Sequence, residues 1–324
     1  MLNPLFFPRT YNYYKCNDDE MKYSMELFNE KSDIMGYIFL ILGIIFIVTY
    51  LPCIFIMCHR VFLKNSCYKI MLLLSIIDVC AVMINSIATG ILIIFRIPYC
   101  YTPKLHILIG SFGLSFWCST CATTFILAFN RYLDVSHNSV FQKLFSGKKT
   151  FICPLIFSLK YMSWFFNPFQ DYSKLPGYKT VNNFSSIPHT VNNFLIIILL
   201  LLDYGAMLYQ LSRKAKVTST LTNTNTVLVK VQIQVFIICF FVFSAALLYV
   251  YMQFFFVPPI FTTISQILWS ISQGCGGIIY ITLNKTMRQA LIDIISNKKI
   301  SVITIDTSKK NRNVTEKIIT TNKS

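Results

Sequence analysis

Acid is what this chain has least of: 13 Asp and Glu stand against 29 Lys and Arg in 324 residues, and charged side chains make up only 13% of the total. Soluble domains carry about 25% charged residues. With 55% of its residues hydrophobic and 15% aromatic, a soluble fold would leave too much apolar surface to hide. Histidine is equally sparse. His59, His106, His137 and His189 fall on separate loops and span ends with no H-x-x-x-H or H-x-x-E cluster, so neither a metal site nor a membrane enzyme built on one has support. There is no internal repeat and there are no paired Gly/Pro-broken segments of the kind transporters use. The opening MLNPLFFPRT lacks the long apolar core of a cleavable signal, so the first apolar stretch is expected to act as the targeting signal.

Long apolar runs are what the chain does have. Seven stretches of 19 to 26 residues are Ile34 to Cys58, Ile70 to Phe95, His106 to Phe129, Phe151 to Phe169, His189 to Leu211, Val231 to Phe256 and Phe261 to Leu283. A hydrocarbon core about 30 Å thick takes roughly 20 residues of helix, and no backbone polar group is left unpaired inside it. The pattern predicts an all-α membrane protein: a seven-transmembrane helix bundle at 34–283, an N-terminal arm at 1–33 and a tail at 284–324. No second globular domain fits.

The net charge of +16 invites a nucleic-acid reading until it is sorted by loop. The side that holds the tail carries 20 Lys and Arg, the other side 8, and Lys160 lies within a span. Within about 15 to 20 residues of the membrane the bias is still roughly 15 to 7, which puts the tail inside and the N-terminus outside. Nucleic acid is not an expected partner; membrane lipid is. Of eleven cysteines only Cys16 and Cys100 then face the oxidising side. A Cys16–Cys100 disulfide is the economical pairing, with two free thiols as the alternative. Among the N-x-[ST] patterns at Asn183, Asn284, Asn313 and Asn322, this topology leaves Asn183 open to glycosylation.

Ionisable side chains inside hydrocarbon need a partner, a watery cavity or a function. Asp78, Lys160 and Asp203 are the three. Asp78, about nine residues into its span, either gathers polar atoms or a cation and so couples helix positions, or is a protonated carboxyl bonded to a neighbour. Arg131, at the inner end of the third span, is placed to swing between the bundle and a cytoplasmic protein; the plainer reading is a positive-inside anchor. After the seventh span, Met287, Ala290, Leu291, Ile294 and Ile295 share one helical face, which predicts a short amphipathic cytoplasmic helix on the inner leaflet. The basic remainder of the tail is expected to be disordered, with Lys298, Lys299, Lys309 and Lys310 against anionic lipid.

Several segments in order carry a family likeness: LNPLFFP followed by Tyr11-Asn12, LPC at 51–53, CYKIM at 67–71 with Ile77-Asp78, Asn130-Arg131, LFSGKKT at 144–150, WFFNPF at 164–169, His189 with Asn192-Asn193, and QGCGGIIYITLNKTMR at 273–288. On these the chain resembles the nematode serpentine receptors of class T, the Srt chemoreceptors, distant relatives of rhodopsin-like G-protein-coupled receptors. The resemblance implies a receptor in the plasma membrane of a sensory neuron or cilium, with a small-molecule ligand, a heterotrimeric G protein as partner and no cofactor. It gives Arg131 the role of engaging the G protein and Tyr280 that of steadying the active bundle, with Asp78 and Tyr280 as switch residues.

Two departures stand out. The residue before Arg131 is Asn130, which removes an ionic latch within that motif, and no Asn-Pro pair precedes Tyr280, where Gly276-Gly277 is expected to supply the backbone adjustment. The fourth span is shorter than the resemblance implies, with Lys160 at its centre and Pro154 and Pro168 near its ends. Either Lys160 pairs with an acid, or the segment is truncated and folds poorly, or the sequence itself is flawed there. A non-signalling receptor is therefore one alternative function, and a small-solute transporter or channel another. The ligand is expected between the third, fifth, sixth and seventh helices. Phe112, Phe116, His189, Asn192, Asn193, Tyr251 and Gln266 are its candidates, chosen for depth in the outer half. Arg213, Lys214 and Lys216 are expected to add electrostatic attraction for the G protein beside Arg131.

Overall fold

In the computed structural model the described residues are 33–97, 100–136, 187–217, 223–255, 257–258, 260–296, 302–304 and 317–319, with Asp18 and Lys22. Residues 1–32 apart from those two, the predicted fourth span and residues 137–150 and 170–186 beside it lie outside them.

Apolar runs become helices because lipid offers no partner for backbone N–H and C=O groups. Helix α1 is Asp33–Met57. The second span is built from α2, Ser66–Val82, a π-helical segment, Met83–Ala88, and α3, Thr89–Ile94. Then follow α4 Pro103–Ser136, α5 Ile187–Val217, α6 Asn223–Phe254, α7 Ile260–Leu283 and α8 Lys285–Ile295. Among the described residues, five stretches are long and apolar enough to cross a membrane: Ile34–Met57, Ser66–Ile94, Pro103–Leu133, His189–Gln210 and Ile233–Met252. Helix α7 is less apolar because Thr263, Ser265, Gln266, Ser270, Ser272 and Gln273 are all turned into the protein. Its 24 residues still reach about 36 Å at a rise of 1.5 Å each.

The helices close a ring. Helix α1 packs on α2, α3 and α7; α4 lies between α2 and α5; α6 joins α5 to α7. The surface is apolar where lipid touches it, with Ile41, Ile44, Val48, Leu51 and Phe55 exposed along α1, while Tyr50, Trp117 and Tyr280 are among the largest fully buried side chains. Burial of the polar residues and exposure of the apolar ones is the arrangement a bilayer solvent favours.

Asparagine caps two helices at one end of the bundle. The Asn65 side chain accepts from Cys67 N at 2.9 Å to start α2, and Asn284 accepts from Met287 N at 3.2 Å to start α8. Helix α8 buries Met287, Ala290 and Asp293 and leaves Ile292 and Ile295 exposed beside Lys285 and Arg288. In the tail, β1 (Val302–Thr304) pairs antiparallel with β2 (Lys317–Ile319), where the composition predicts no regular structure.

Glycine allows one close approach. A Cβ on Gly90 would lie 2.8 Å from both the Gly36 carbonyl oxygen and the Leu40 nitrogen, backbone atoms of α1 that cannot step aside. Gly90→Val is therefore expected to destabilise the bundle by about 1–3 kcal/mol, seen as lower surface expression and a lower melting temperature in detergent. Gly205→Val, at a position with nothing within 4 Å of its Cβ, serves as the control and should behave as wild type. Equal behaviour of the two variants would dismiss the close contact. Gly276 and Gly277 do a similar job: α7 runs through them as continuous helix, and side chains there would strike Tyr50 and the backbone of α1. Their role is packing against α1 rather than the expected backbone adjustment.

Candidate functional site

In the half of the bundle where α7 begins, four helices bring polar and aromatic side chains together. Trp117 of α4 donates from Nε1 to Asn193 Oδ1 of α5 at 2.8 Å. One turn away on the same face of α5, His189 Nε2 lies 3.1 Å from Asn193 Nδ2. The His189 ring meets Tyr249 of α6 edge-on, with centroids 5.7 Å apart. Tyr249 and Trp117 each meet Trp269 of α7 edge-on at 6.3 Å. Edge-to-face contacts at these separations are the arrangement that aromatic quadrupoles favour.

From the level of this cluster a chain of hydrogen bonds crosses the bundle. Gln266 Nε2 donates to the Asn85 carbonyl at 2.8 Å. Asn85 belongs to the π-helical segment, whose wide turn offers that oxygen to α7. The Asn85 side chain donates in turn to Gln273 Oε1, and Gln273 Nε2 lies 3.4 Å from Thr120 Oγ1. Thr120 donates to Asp78 Oδ1 at 3.0 Å, and the Tyr50 hydroxyl lies 2.9 Å from Asp78 Oδ2 and 3.0 Å from the Gln273 carbonyl. Asp78 is thus held by neutral donors from α1 and α4 and touches the α7 register through Tyr50. Tyr280 stands edge-on to Tyr50 at 6.5 Å, so the two switch candidates are joined through a residue that the sequence did not mark. Asp203 is buried on α5, and its Oδ2 has no hydrogen-bond partner among the described residues.

At the opposite end of the bundle Arg131 is only 9% exposed. Asn130 donates from Nδ2 to Ser66 Oγ at 3.2 Å, fastening α4 to the first residue of α2 by a neutral bond where an acid is absent. Arg213, Lys214 and Lys216 lie in the last turns of α5; their side chains are outside the described set.

The ligand candidates divide by helical face. His189, Asn193 and Gln266 are buried, Asn192 is half-buried and donates to Asn193 Oδ1 at 3.3 Å, and Phe116 is half-buried. Phe112 and Tyr251 are 48% and 45% exposed and point away from the cluster, stacked on Phe116 and Phe255 respectively. Depth in a span places a residue along the helix axis but not around it. Tyr249 and Tyr251, two positions apart, are about 200° apart around the helix at 3.6 residues per turn. Trp117, Tyr249 and Trp269 were not foreseen, although a Trp deep in a span needs a partner for its N–H. Cys16 and Asn183 lie outside the described residues. Cys100 is disulfide-bonded, its partner also outside them. Among the described residues no group of His, Cys, Asp and Glu is placed to hold a metal ion.

A ring of long apolar helices with a polar interior, an amphipathic helix at its inner face and a cross-bundle polar chain is the build of a seven-helix receptor. The crystal structure of squid rhodopsin matches with a TM-score of 0.58, covering 82% of this chain and 85% of that one at 12% sequence identity, which establishes the fold. The family model described as serpentine type 7TM GPCR chemoreceptor Srt matches residues 5–304, and the chain belongs to that family. No curated protein matches it in sequence.

Proposed function

We propose that this chain is a chemosensory receptor of a sensory-neuron or ciliary plasma membrane, N-terminus outside. It binds an external small molecule between α4, α5, α6 and α7 and activates a heterotrimeric G protein at its inner face. It acts by binding rather than by catalysis. Family membership gives the class, and one observation carries the mechanism: the outer cluster around His189, Asn193, Trp117, Tyr249 and Trp269 shares α7 with the hydrogen-bond chain through Gln266, Asn85 and Gln273 to Asp78. A ligand that binds one arrangement of α7 better than another shifts the population of that arrangement, and the far end of α7 moves with it.

The test is a screen of volatile and water-soluble compounds against the full chain expressed in a sensory cilium, reading cAMP, cGMP or calcium. The expected response vanishes when the G protein is removed. Current or solute flux that persists without G protein would instead establish a channel or transporter.

Topology is checked independently. A tag placed before Ile34 is expected to be reached by antibody on intact cells, and one after Ser324 only once they are permeabilised. Reversed labelling would overturn the assignment of both faces. Among the described residues eight cysteines are free: Cys53, Cys58, Cys67, Cys80, Cys118, Cys121, Cys239 and Cys275. Cys153 is predicted at the inner end of its span, so Cys16 is the partner proposed for Cys100. Non-reducing peptide mapping should recover these two peptides joined, and a Cys100 peptide joined to any other would reject the pairing.

A further inference from the structure

We propose that the ligand is a small uncharged molecule whose apolar body rests on the Trp117–Trp269–Tyr249 cluster and whose hydroxyl or amide group bonds Gln266 and Trp269. This inference rests on the receptor reading above and assigns the chemistry of its site. Three buried polar atoms on one face of α7 lack a partner among the described residues: Gln266 Oε1, Trp269 Nε1 and Ser270 Oγ. Gln266 and Ser270 are fully buried and Trp269 is 94% buried. Buried polar groups in folded proteins are overwhelmingly paired, and inside a bilayer no bulk water stands in.

The three residues are spaced i, i+3 and i+4, so they form one stripe. That stripe is where the aromatic cluster sits: Trp269 lies edge-on to both Trp117 and Tyr249, and its ring fills the space a side chain on Gly113 of α4 would need.

The unpaired atoms define the complement. Gln266 Oε1, an acceptor whose amide nitrogen donates to Asn85, needs a donor; Trp269 Nε1 needs an acceptor; Ser270 Oγ takes either. A hydroxyl or an amide offers donor and acceptor at once. Charge is excluded by surroundings. Among the described residues no Asp, Glu, Lys or Arg is buried in the outer halves of the helices; Arg96 and Lys104 are exposed at helix ends. Asp78, the acid on this side of the bundle, is already engaged by Tyr50 and Thr120 near Gln273, about 10 Å further along α7 than Gln266 at 1.5 Å per residue. An ion buried without a counter-charge is far more costly than a neutral group given its hydrogen bonds.

The experiment uses purified full-length receptor in detergent and four matched probes, benzyl alcohol, benzylamine, benzoate and toluene, at up to about 10 mM, reading the stabilisation that binding confers on the native state. Benzyl alcohol is expected to raise the melting temperature, toluene to do so less, and benzylamine and benzoate not at all. Trp269→Phe deletes the unpaired N–H and leaves a smaller aromatic ring in its place. It should weaken benzyl alcohol about tenfold more than it weakens toluene. Stabilisation by the amine or the carboxylate equal to that by the alcohol, no stabilisation by any probe, or an unaltered Trp269→Phe would each overturn the inference. If the alcohol stabilises as expected but no compound yields a G-protein response in cells, the site chemistry stands and the receptor function falls.

Discussion

Arg131→Ala is expected to abolish second-messenger output while surface expression stays near wild type and ligand affinity changes little. Arg131 lies in the last two turns of α4, almost wholly within the bundle in this arrangement. Its neighbour Asn130 ties the same turn to Ser66 and persists in the variant, so α4 keeps its anchor. What is lost is a long, planar, permanently charged group with five donors, able to leave the bundle and bond backbone carbonyls of an inserted cytoplasmic helix. A partner that binds only the open form is what converts an outer binding event into an inner signal. Arg213, Lys214 and Lys216, one turn or less from the end of α5, add attraction that weakens with salt. Replacing all three with Glu should lower coupling most at low ionic strength. The measurement is agonist-stimulated nucleotide exchange on G protein in isolated membranes, with surface labelling alongside. A wild-type maximum response from Arg131→Ala would remove the proposed coupling mechanism.

The spans were legible because hydrocarbon thickness sets a length that an apolar run must match, and the described helices begin and end within a few residues of most of those runs. The exceptions are instructive. The third span reads as His106 to Phe129 but its helix runs Pro103–Ser136, and α6 begins at Asn223 rather than Val231. Apolarity marks the lipid boundary, whereas a helix continues into water until a breaker stops it, and none intervenes. Asp78 stood out because acid in hydrocarbon is rare. Its partners Tyr50 and Thr120 did not, since α1 is apolar on every side and gives no sign of which face turns inward. The outer cluster was half visible for the same reason. His189 and Asn193, four apart, share a face on the sequence alone, but choosing Tyr249 over Tyr251 needed knowledge of how α6 is rotated against α5 and α7, which only packing supplies.

Asp78→Leu is expected to cost the bundle several kcal/mol, and the reason lies in what it strands. The carboxylate accepts from Tyr50 and Thr120, at 2.9 and 3.0 Å, and all three residues are buried. Leucine leaves two hydroxyls without that acceptor, each costing about 1–3 kcal/mol if it finds no other. Tyr50 has an alternative in the Gln273 carbonyl at 3.0 Å, which lowers its share. Thr120 has only the long contact with Gln273, at 3.4 Å, in which it is the acceptor, so most of the loss falls there. Asp78→Asn keeps one oxygen to accept from Thr120 and is expected to fold nearly as well as wild type. Pairing the leucine change with Thr120→Val removes the stranded hydroxyl, and the double variant should be more stable than the sum of the single losses by about 0.6–1.7 kcal/mol, the span measured for hydrogen bonds between membrane helices. Melting temperature in detergent and surface expression of the four proteins decide the matter. Additive losses for Asp78→Leu and Thr120→Val would mean that the hydrogen bond between α2 and α4 contributes nothing, and that Asp78 is kept in this bundle for a reason other than holding its helices together.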